Sequence, residues 1–363
     1  MDTFAFIIHP IDPKRDISRK YPRLARLVND WQIYHWAPYF PPVYLSEVEG
    51  ATSISTGKRI KGWLIACPLT PRHFLELPEK RVYRKIIQTG RLAEKLGAKI
   101  LGLGAFTSVV GDAGQSIARA LEIPVTTGDS YTVAVAVQSI RQAAEVMEIP
   151  LLSSKAAVVG ATGSIGRVCA ELLARDVAEM TLVSRQQVSL DDLRESIRAH
   201  HPAVNIETST SIEAIRDAQL ILTVTSAPEA IIEPEHLQPG SVVCDVARPR
   251  DVSVKVAAQR DDVLVIDGGM VDVPGPVDFH FNFGFPPGKA YACMAETMAL
   301  TLEGRFEDYT LGKEIKLNQV QEIAAIANRH GFRLNGFRSF EKPVTEEQIN
   351  RVKQNARIGR RHS

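Results

Sequence analysis

No stretch of this 363-residue chain is apolar without interruption over the ~20 residues a membrane-spanning helix needs, which excludes an integral helical membrane protein. Neither sign of charge is in excess. Lys and Arg number 43 against 42 Asp and Glu, a net charge of +1, so a general nucleic-acid-binding surface is not expected. Cysteine is sparse and scattered: Cys67, Cys169, Cys244 and Cys293 form no C-x-x-C pair and have no metal-ligand spacing with histidine. Neither a metal site nor a disulfide framework is therefore expected. The opening MDTFAFIIHP lacks a basic region and a small-residue cleavage site, so it does not read as a signal peptide, and the expected location is cytoplasmic. Internal repeats and low-complexity segments are absent too. What the chain does have is length for roughly 2.4 domains at about 150 residues each.

The first 65 residues hold all three Trp (Trp31, Trp36, Trp63) and four of the eight Tyr, read as an aromatic core or the wall of an apolar ligand cavity. Phe4 to Ile8 reads as a buried strand. Residues 79–96 space Val82, Ile86, Ile87 and Leu92 as an amphipathic helix, and Lys99–Leu103 follows as a strand. A strand-to-helix turn at Val125-Thr126-Thr127-Gly128-Asp129-Ser130 opens a helix to about Met147. From Lys155 the alternation is stricter. Strands are expected at Lys155–Val159, Met180–Val183, Gln219–Thr225, Ser241–Val246 and Val263–Ile266, with helices at Ser164–Arg175 and Leu190–Ala199. The fold class is therefore α/β: a doubly wound parallel-sheet Rossmann domain over 151–285, an N-terminal α/β domain over 1–150, and a C-terminal helical segment over 286–363 returning to the first domain. Helices are expected at 289–304 and 313–330. From Arg338 onward the tail carries seven basic and three acidic side chains and a capping box at Thr345 and Gln348.

Gly160-Ala161-Thr162-Gly163-Ser164-Ile165-Gly166 lies between a strand and a helix, where glycines let a pyrophosphate approach the backbone N–H groups of a helix N-terminus. Gly160, Thr162, Gly163, Ser164, Ile165 and Gly166 are thus expected to bind a dinucleotide, with Thr225 at the end of a later strand beside them. Twenty-two residues after Gly163 stand Ser184 and Arg185, where NAD-specific sites place an acid. A guanidinium there pairs with a 2′-phosphate, so the expected cofactor is NADPH.

Three cysteines read as packing or strand-end residues: Cys169 in the Rossmann helix, Cys244 in an apolar strand, and Cys67 before Pro68. Cys293 follows the helix stop Pro286-Pro287-Gly288, close to a helix N-terminus that favours a thiolate, with Lys289 one turn earlier. Packing and nucleophilic roles both remain open from these residues alone. Beside NADPH, a thiolate can take an acyl group from a thioester and hold it for reduction. Thr107, Ser108 and Ser130, with Lys289, are the candidate oxyanion or positioning groups.

The chain resembles the long-chain acyl-[acyl-carrier-protein] reductases best known from cyanobacteria. The resemblance runs from about residue 4 to 335 through HPIDPKRDISR, GAFTSVV, TTGDS, VVGATGSIG, DGGMV, YACMAETMALTLEG and the HGF at 330–332. It implies Cys293 as the nucleophile, NADPH as cofactor, an acyl-binding first domain, and reduction of a fatty acyl-carrier-protein thioester to a fatty aldehyde. Acyl-carrier protein is the implied partner, with an aldehyde-consuming enzyme after it. Tyr131 stands where that family carries a histidine. Residues 72–99, with eight basic and three acidic side chains, suit an acidic carrier surface, and a fatty substrate admits peripheral membrane contact. Two other readings fit the same dinucleotide turn: a shikimate-dehydrogenase-like NADP oxidoreductase of a small alcohol or ketone, which needs no Cys293, and a non-catalytic NADPH-binding protein.

Overall fold

A computed structural model of the chain describes residues 1–282, 284 and 286–359. In chain order the elements are β1 (Asp2–Ile8), α1 (Pro13–Lys20), α2 (Pro22–Leu27), α3 (Asp30–Trp36), β2 (Val43–Val48), β3 (Ile60–Ala66), α4 (Pro71–Glu76), α5 (Glu79–Leu96), β4 (Leu101–Gly102), α6 (Phe106–Val109), α7 (Gln115–Ala118), β5 (Val125–Thr126) and α8 (Asp129–Val146). There follow β6 (Lys155–Val159), α9 (Ser164–Leu173), β7 (Glu179–Val183), α10 (Gln187–His200), β8 (Asn205–Ser209), β9 (Leu220–Thr223), β10 (Val242–Asp245), α11 (Val254–Gln259) and β11 (Leu264–Asp267). The last are β12 (Met270–Asp272), β13 (Lys289–Tyr291), α12 (Ala292–Glu303), α13 (Leu317–His330), β14 (Arg338–Ser339), β15 (Lys342–Pro343) and α14 (Glu346–Gly359).

The chain separates into two compact units, one of residues 1–132 with 270–333 and the other of 133–269 with 334–363. This differs from the expected division at 150 and 285. The first boundary falls inside α8, a helix that sequence periodicity alone gives no reason to cut. The C-terminal segment is shared: 286–333 joins the first unit, whereas 334–363 joins the second. The tail has its own anchors there. Lys353 Nζ lies 2.7 Å from Glu148, and the Glu341 amide donates to Asp267 at 3.1 Å.

The first unit is built on a five-stranded sheet, order β2-β3-β1-β4-β5, in which only β2 runs antiparallel to its neighbour. The FAFII run of β1 is apolar at successive positions because both faces are covered. Ala5 and Ile7 face the cluster of Val82, Ile86 and Ala93 from α5. The other face takes α12, whose Thr297 Oγ1 would lie 2.1 Å from a Cβ at Gly102. Ten of the twelve residues of α12 are buried, as befits a helix apolar on all sides. Each large apolar side chain so buried contributes about 1.5–3 kcal/mol. The expected helix at 289–304 begins late: Lys289, Ala290 and Tyr291 instead pair antiparallel with Asp272, Val271 and Met270. That pairing leaves Cys293 on the second residue of α12. The aromatic-rich N-terminus also divides, since Trp63 packs in the core while Trp31 and Trp36 are exposed.

The second unit carries a six-stranded parallel sheet, order β11-β10-β9-β6-β7-β8. Counted from β6, this is the 3-2-1-4-5-6 order of the Rossmann fold, with its topological switch point between β6 and β9. The α/β fold with a Rossmann sheet and an N-terminal α/β region is therefore as expected. β8 is an edge strand that periodicity does not signal, because NIETS has a single apolar side chain, Ile206, to bury. The capping box of α14 is present, with Gln348 N–H donating to Thr345 Oγ1 and Thr345 N–H to Gln348 Oε1, at 3.2 and 2.9 Å.

Candidate active site

The dinucleotide turn closes on itself. Gly160 has φ of +81°, its N–H donates to Val183 O at 2.9 Å, and its carbonyl accepts from Gly163 N–H at 3.0 Å. A Cβ at Gly166 would sit 2.2 Å from Gly160 O, so α9 can approach the turn only without a side chain there. Gly163 is the N-cap of α9 and is exposed, with Ser164 and Ile165 in the first helical turn. The helix N-terminus therefore opens at the carboxyl end of β6, beside the switch point. Thr162 Oγ1 and Ser184 Oγ are 2.5 Å apart across this mouth, joining the turn to the end of β7. Arg185, the next residue, is exposed. An open helix N-terminus, a side-chain-free approach and an exposed guanidinium beyond β7 together fit a dinucleotide bearing a 2′-phosphate. Thr225 is differently employed. Its hydroxyl donates to Asp251 at 2.5 Å and its amide donates to the same carboxylate at 2.9 Å, so the side chain fastens the end of β9.

In the first unit, Cys293 is set apart from the other three cysteines, which are all buried, by being partly exposed. Gly128, at φ +77°, lies directly beneath it: a Cβ at 128 would stand 2.3 Å from Cys293 Cα. This close approach brings the TTGDS turn and the N-terminus of α12 together. Glu296, one turn below Cys293, is fully buried and fastens the same turn. Its carboxylate accepts from Thr126 Oγ1 at 2.5 Å, from Tyr131 N–H at 2.8 Å, and lies 2.9 Å from Thr310 Oγ1. Asp129, buried at the start of α8, is pushed up to about 8 by burial and then by the nearby Glu296, with Thr127 opposing. Cys293, although part of the residue reaches the surface, is pushed up to about 12, first by burial of its thiol and then by the charge of Asp129, while the Met294 and Cys293 N–H groups act in the opposite sense. The free thiol is thus neutral at pH 7, and the helix N-terminus does not by itself make it a thiolate.

The other expected positions have local partners. Thr107 Oγ1 donates to Gly104 O and accepts from Gly104 N–H, at 2.8 and 2.9 Å. Ser108 donates to Ala105 O at 2.8 Å, and Ser130 Oγ is 2.9 Å from Thr310 Oγ1. Lys289 pairs with Asp272 across the β12–β13 ladder. Its placement on a strand rather than in the first helical turn removes the reason for setting it against the thiol. His9, at the end of β1, accepts from Phe106 N–H at 3.2 Å and is held neutral, its pKa brought down to about 4 by burial.

Asp129 and Glu296 are the acids that sequence reasoning passed over. The signal was present: Glu296, three residues after Cys293, is the one charged residue inside the ACMAETMALTLE helix before its terminal Glu303. Among the described residues no group of three or more His, Cys, Asp or Glu is arranged to hold a metal ion. Among the same residues no helix is long and apolar enough to cross a membrane.

Residues 141–268 match the shikimate / quinate 5-dehydrogenase family, which makes this region a domain of the nicotinamide-nucleotide oxidoreductase kind. Over 303 residues, 82% of the chain, it is 31% identical to the aminotransferase PigE of a Serratia species, although the chain spans only 35% of that protein. It is 29% identical over 339 residues to the long-chain acyl-[acyl-carrier-protein] reductase of Synechococcus elongatus, covering 89% of this chain and 95% of that one. Among solved structures, L-tryptophan dehydrogenase from Nostoc punctiforme aligns over 100% of this chain and 90% of its own, with 12% identity and a TM-score of 0.42.

Proposed function

We propose that the chain is an NADPH-dependent reductase of long-chain acyl thioesters, forming a fatty aldehyde through an acyl group held on Cys293. The observation that carries this reading is the placement of Cys293: the one cysteine of four that is not buried sits at a helix N-terminus above Gly128, beside two buried acids. The near end-to-end similarity to an acyl-[acyl-carrier-protein] reductase supports the substrate class. Similarity to part of an aminotransferase is consistent with an aldehyde product, because an aminotransferase can consume one. The basic stretch 72–99 suits an acidic carrier protein.

In this reading Cys293 Sγ, once deprotonated, attacks the acyl carbon. The carbon–sulfur bond to the carrier breaks, and the carrier leaves as a thiol with one proton. When bound, NADPH supplies the hydride that takes the acyl carbon to the aldehyde level. The Gly160–Gly166 turn would hold its pyrophosphate, and Arg185 its 2′-phosphate. Asp129, neutral at pH 7, serves as the proton store: it protonates the acyl oxygen, breakage of the carbon–Sγ bond returns that proton to it, and the Sγ thiolate released takes one proton from water to restore the thiol. The Cys293 and Met294 N–H groups stabilise negative charge at Sγ.

The test omits the reductant. Incubation with long-chain acyl-carrier protein should add one acyl group to the intact mass of the wild type and none to Cys293→Ala. A second reading, direct hydride transfer to a small ketone, is favoured by the match over 141–268. It replaces the first if the wild type is never acylated yet interconverts a small alcohol and ketone with NADP(H). Arg185→Asp should lower the preference for NADPH over NADH about tenfold or more; an unchanged ratio rejects the 2′-phosphate contact.

A further inference from the structure

The segment between β1 and β2 buries little. No residue of α1 is buried, and Ile33 alone is buried in α3. Seven of the fifteen large apolar side chains exposed in the described chain fall between residues 21 and 44. Leu27 is 81% exposed, and Trp31 and Tyr39 are each 68% exposed, with Trp36 and Phe40 also facing out. The rings are not scattered. Trp31 stacks on His35 at 5.2 Å, His35 meets Trp36 edge-on at 5.7 Å, and Trp36 meets Tyr39 at 6.4 Å, giving one continuous aromatic row. A row of this kind left in water marks a contact surface.

Charge identifies what it contacts. Residues 10–44 hold six basic and three acidic side chains, a net +3. Arg19 pairs with Asp16, but Lys14, Arg23 and Arg26 are exposed with no ion-pair partner among the described residues. Lys85 Nζ, reaching Phe40 O at 2.7 Å, sets the basic face of α5 beside the end of the row. Trp and Tyr flanked by unpaired Lys and Arg are the side chains that settle at the interface between water and an anionic bilayer. A second copy of the chain would bring like charges together across a two-fold interface.

We propose that α1, α2, α3 and the following turn form a docking surface for an anionic lipid bilayer, with Trp31, Trp36 and Tyr39 entering the headgroup layer and Arg23 and Arg26 meeting lipid phosphates. This surface is independent of the reaction assigned to Cys293. The full chain is floated with vesicles of phosphatidylcholine, alone or containing phosphatidylglycerol, while tryptophan emission is recorded. Because Trp63 is in the core, Trp31 and Trp36 dominate any shift on binding. Wild type should float with the phosphatidylglycerol vesicles, with blue-shifted emission and weaker binding in high salt. Trp31→Ser with Trp36→Ser should bind about tenfold more weakly, as should Arg23→Gln with Arg26→Gln, a change at two exposed positions. Both pairs should be acylated at Cys293 like the wild type, so loss of acylation in the wild type would count against the enzyme reading and not against this one. No flotation with anionic vesicles overturns the proposal, as does flotation unchanged in the arginine pair. Self-association, or binding of an acidic carrier protein, that depends on Trp31 and Trp36 while lipid does not bind assigns the row to that partner instead.

Discussion

Asp129 and Asp267 are both buried aspartates, one in each unit, and their surroundings push them in opposite directions. Burial raises both. At Asp267 the Arg250 hydrogen bond and the charges of Arg248 and Arg250 outweigh it, and the carboxyl ends below its ordinary value. At Asp129 no cation among the described residues acts in this way: the neighbours that count are Glu296, which adds to the rise, and the Thr127 hydroxyl, which opposes it. A guanidinium therefore keeps one aspartate a structural anion, and its lack leaves the other a neutral acid that can exchange a proton. The charged site fastens chain: Asp267 also accepts from Glu341 N–H at 3.1 Å, and Arg250 lies 5.4 Å from the Phe340 ring, so the tail hairpin is anchored there. The uncharged site adjoins the partly exposed thiol. Asp245 and Asp251, also buried, hold chain as Asp267 does, by accepting from Val252 N–H and from Thr225.

Breaking the first half of that contrast should have the larger effect. Arg250→Ala leaves Asp267 buried with the Arg248 guanidinium, at 3.7 Å, and the Glu341 N–H facing it. A loss of about 3 kcal/mol at pH 7 is expected in urea denaturation. The sign of its pH dependence is set by the lowered pKa of Asp267. Stability from the pair is present above the ordinary aspartate value near 3.8 and is lost as pH falls through the lower folded value. The gap between wild type and variant should therefore narrow in acid. A cost below about 1 kcal/mol at pH 7 would mean that something other than the cation holds Asp267 ionised.

Neither aspartate's role was legible from the sequence, and the reason is the same for both. The β6–turn–α9 unit could be read because strand, glycines and helix are contiguous, and the spacing of Thr345 and Gln348 specifies the α14 cap locally. Cys293 could be singled out because Pro286-Pro287-Gly288 marks a stop just before it. The acids, by contrast, take their character from distant segments: Tyr131 N–H reaches Glu296 across 165 positions, and Gly128 meets Cys293 only once α12 is docked. Lys289 shows the converse error. It is one turn from Cys293 if 289–304 is all helix, but a strand partner at Asp272 takes its charge away. Residue type marks the hydroxyls of Thr107 and Ser108 as donors, but backbone carbonyls three residues earlier already hold them.

The other half of the contrast is sharpened by Asp129→Asn. Because the folded pKa of Asp129 is raised to about 8, the folded state keeps a proton that the unfolded chain loses near 3.8. At this site the folded state thus binds more protons throughout that window, and the Asp129 contribution to wild-type stability falls as pH rises from about 4 to about 8. Asparagine carries no such penalty. The variant should match the wild type near pH 4 and exceed it by roughly 2 kcal/mol or more at pH 8. Acylation of Cys293 without NADPH supplies the functional counterpart. The wild-type rate should show an ionisation near pH 8, where Asp129 becomes able to accept the thiol proton, and the variant should lack that step. A variant that gains stability yet keeps the ionisation would make Asp129 a buried acid with no part in proton transfer, and Cys293 would then need another acceptor. A variant without the stability gain would mean that Asp129 is already ionised at neutral pH. In that case the two aspartates would differ in their neighbours and not in their charge.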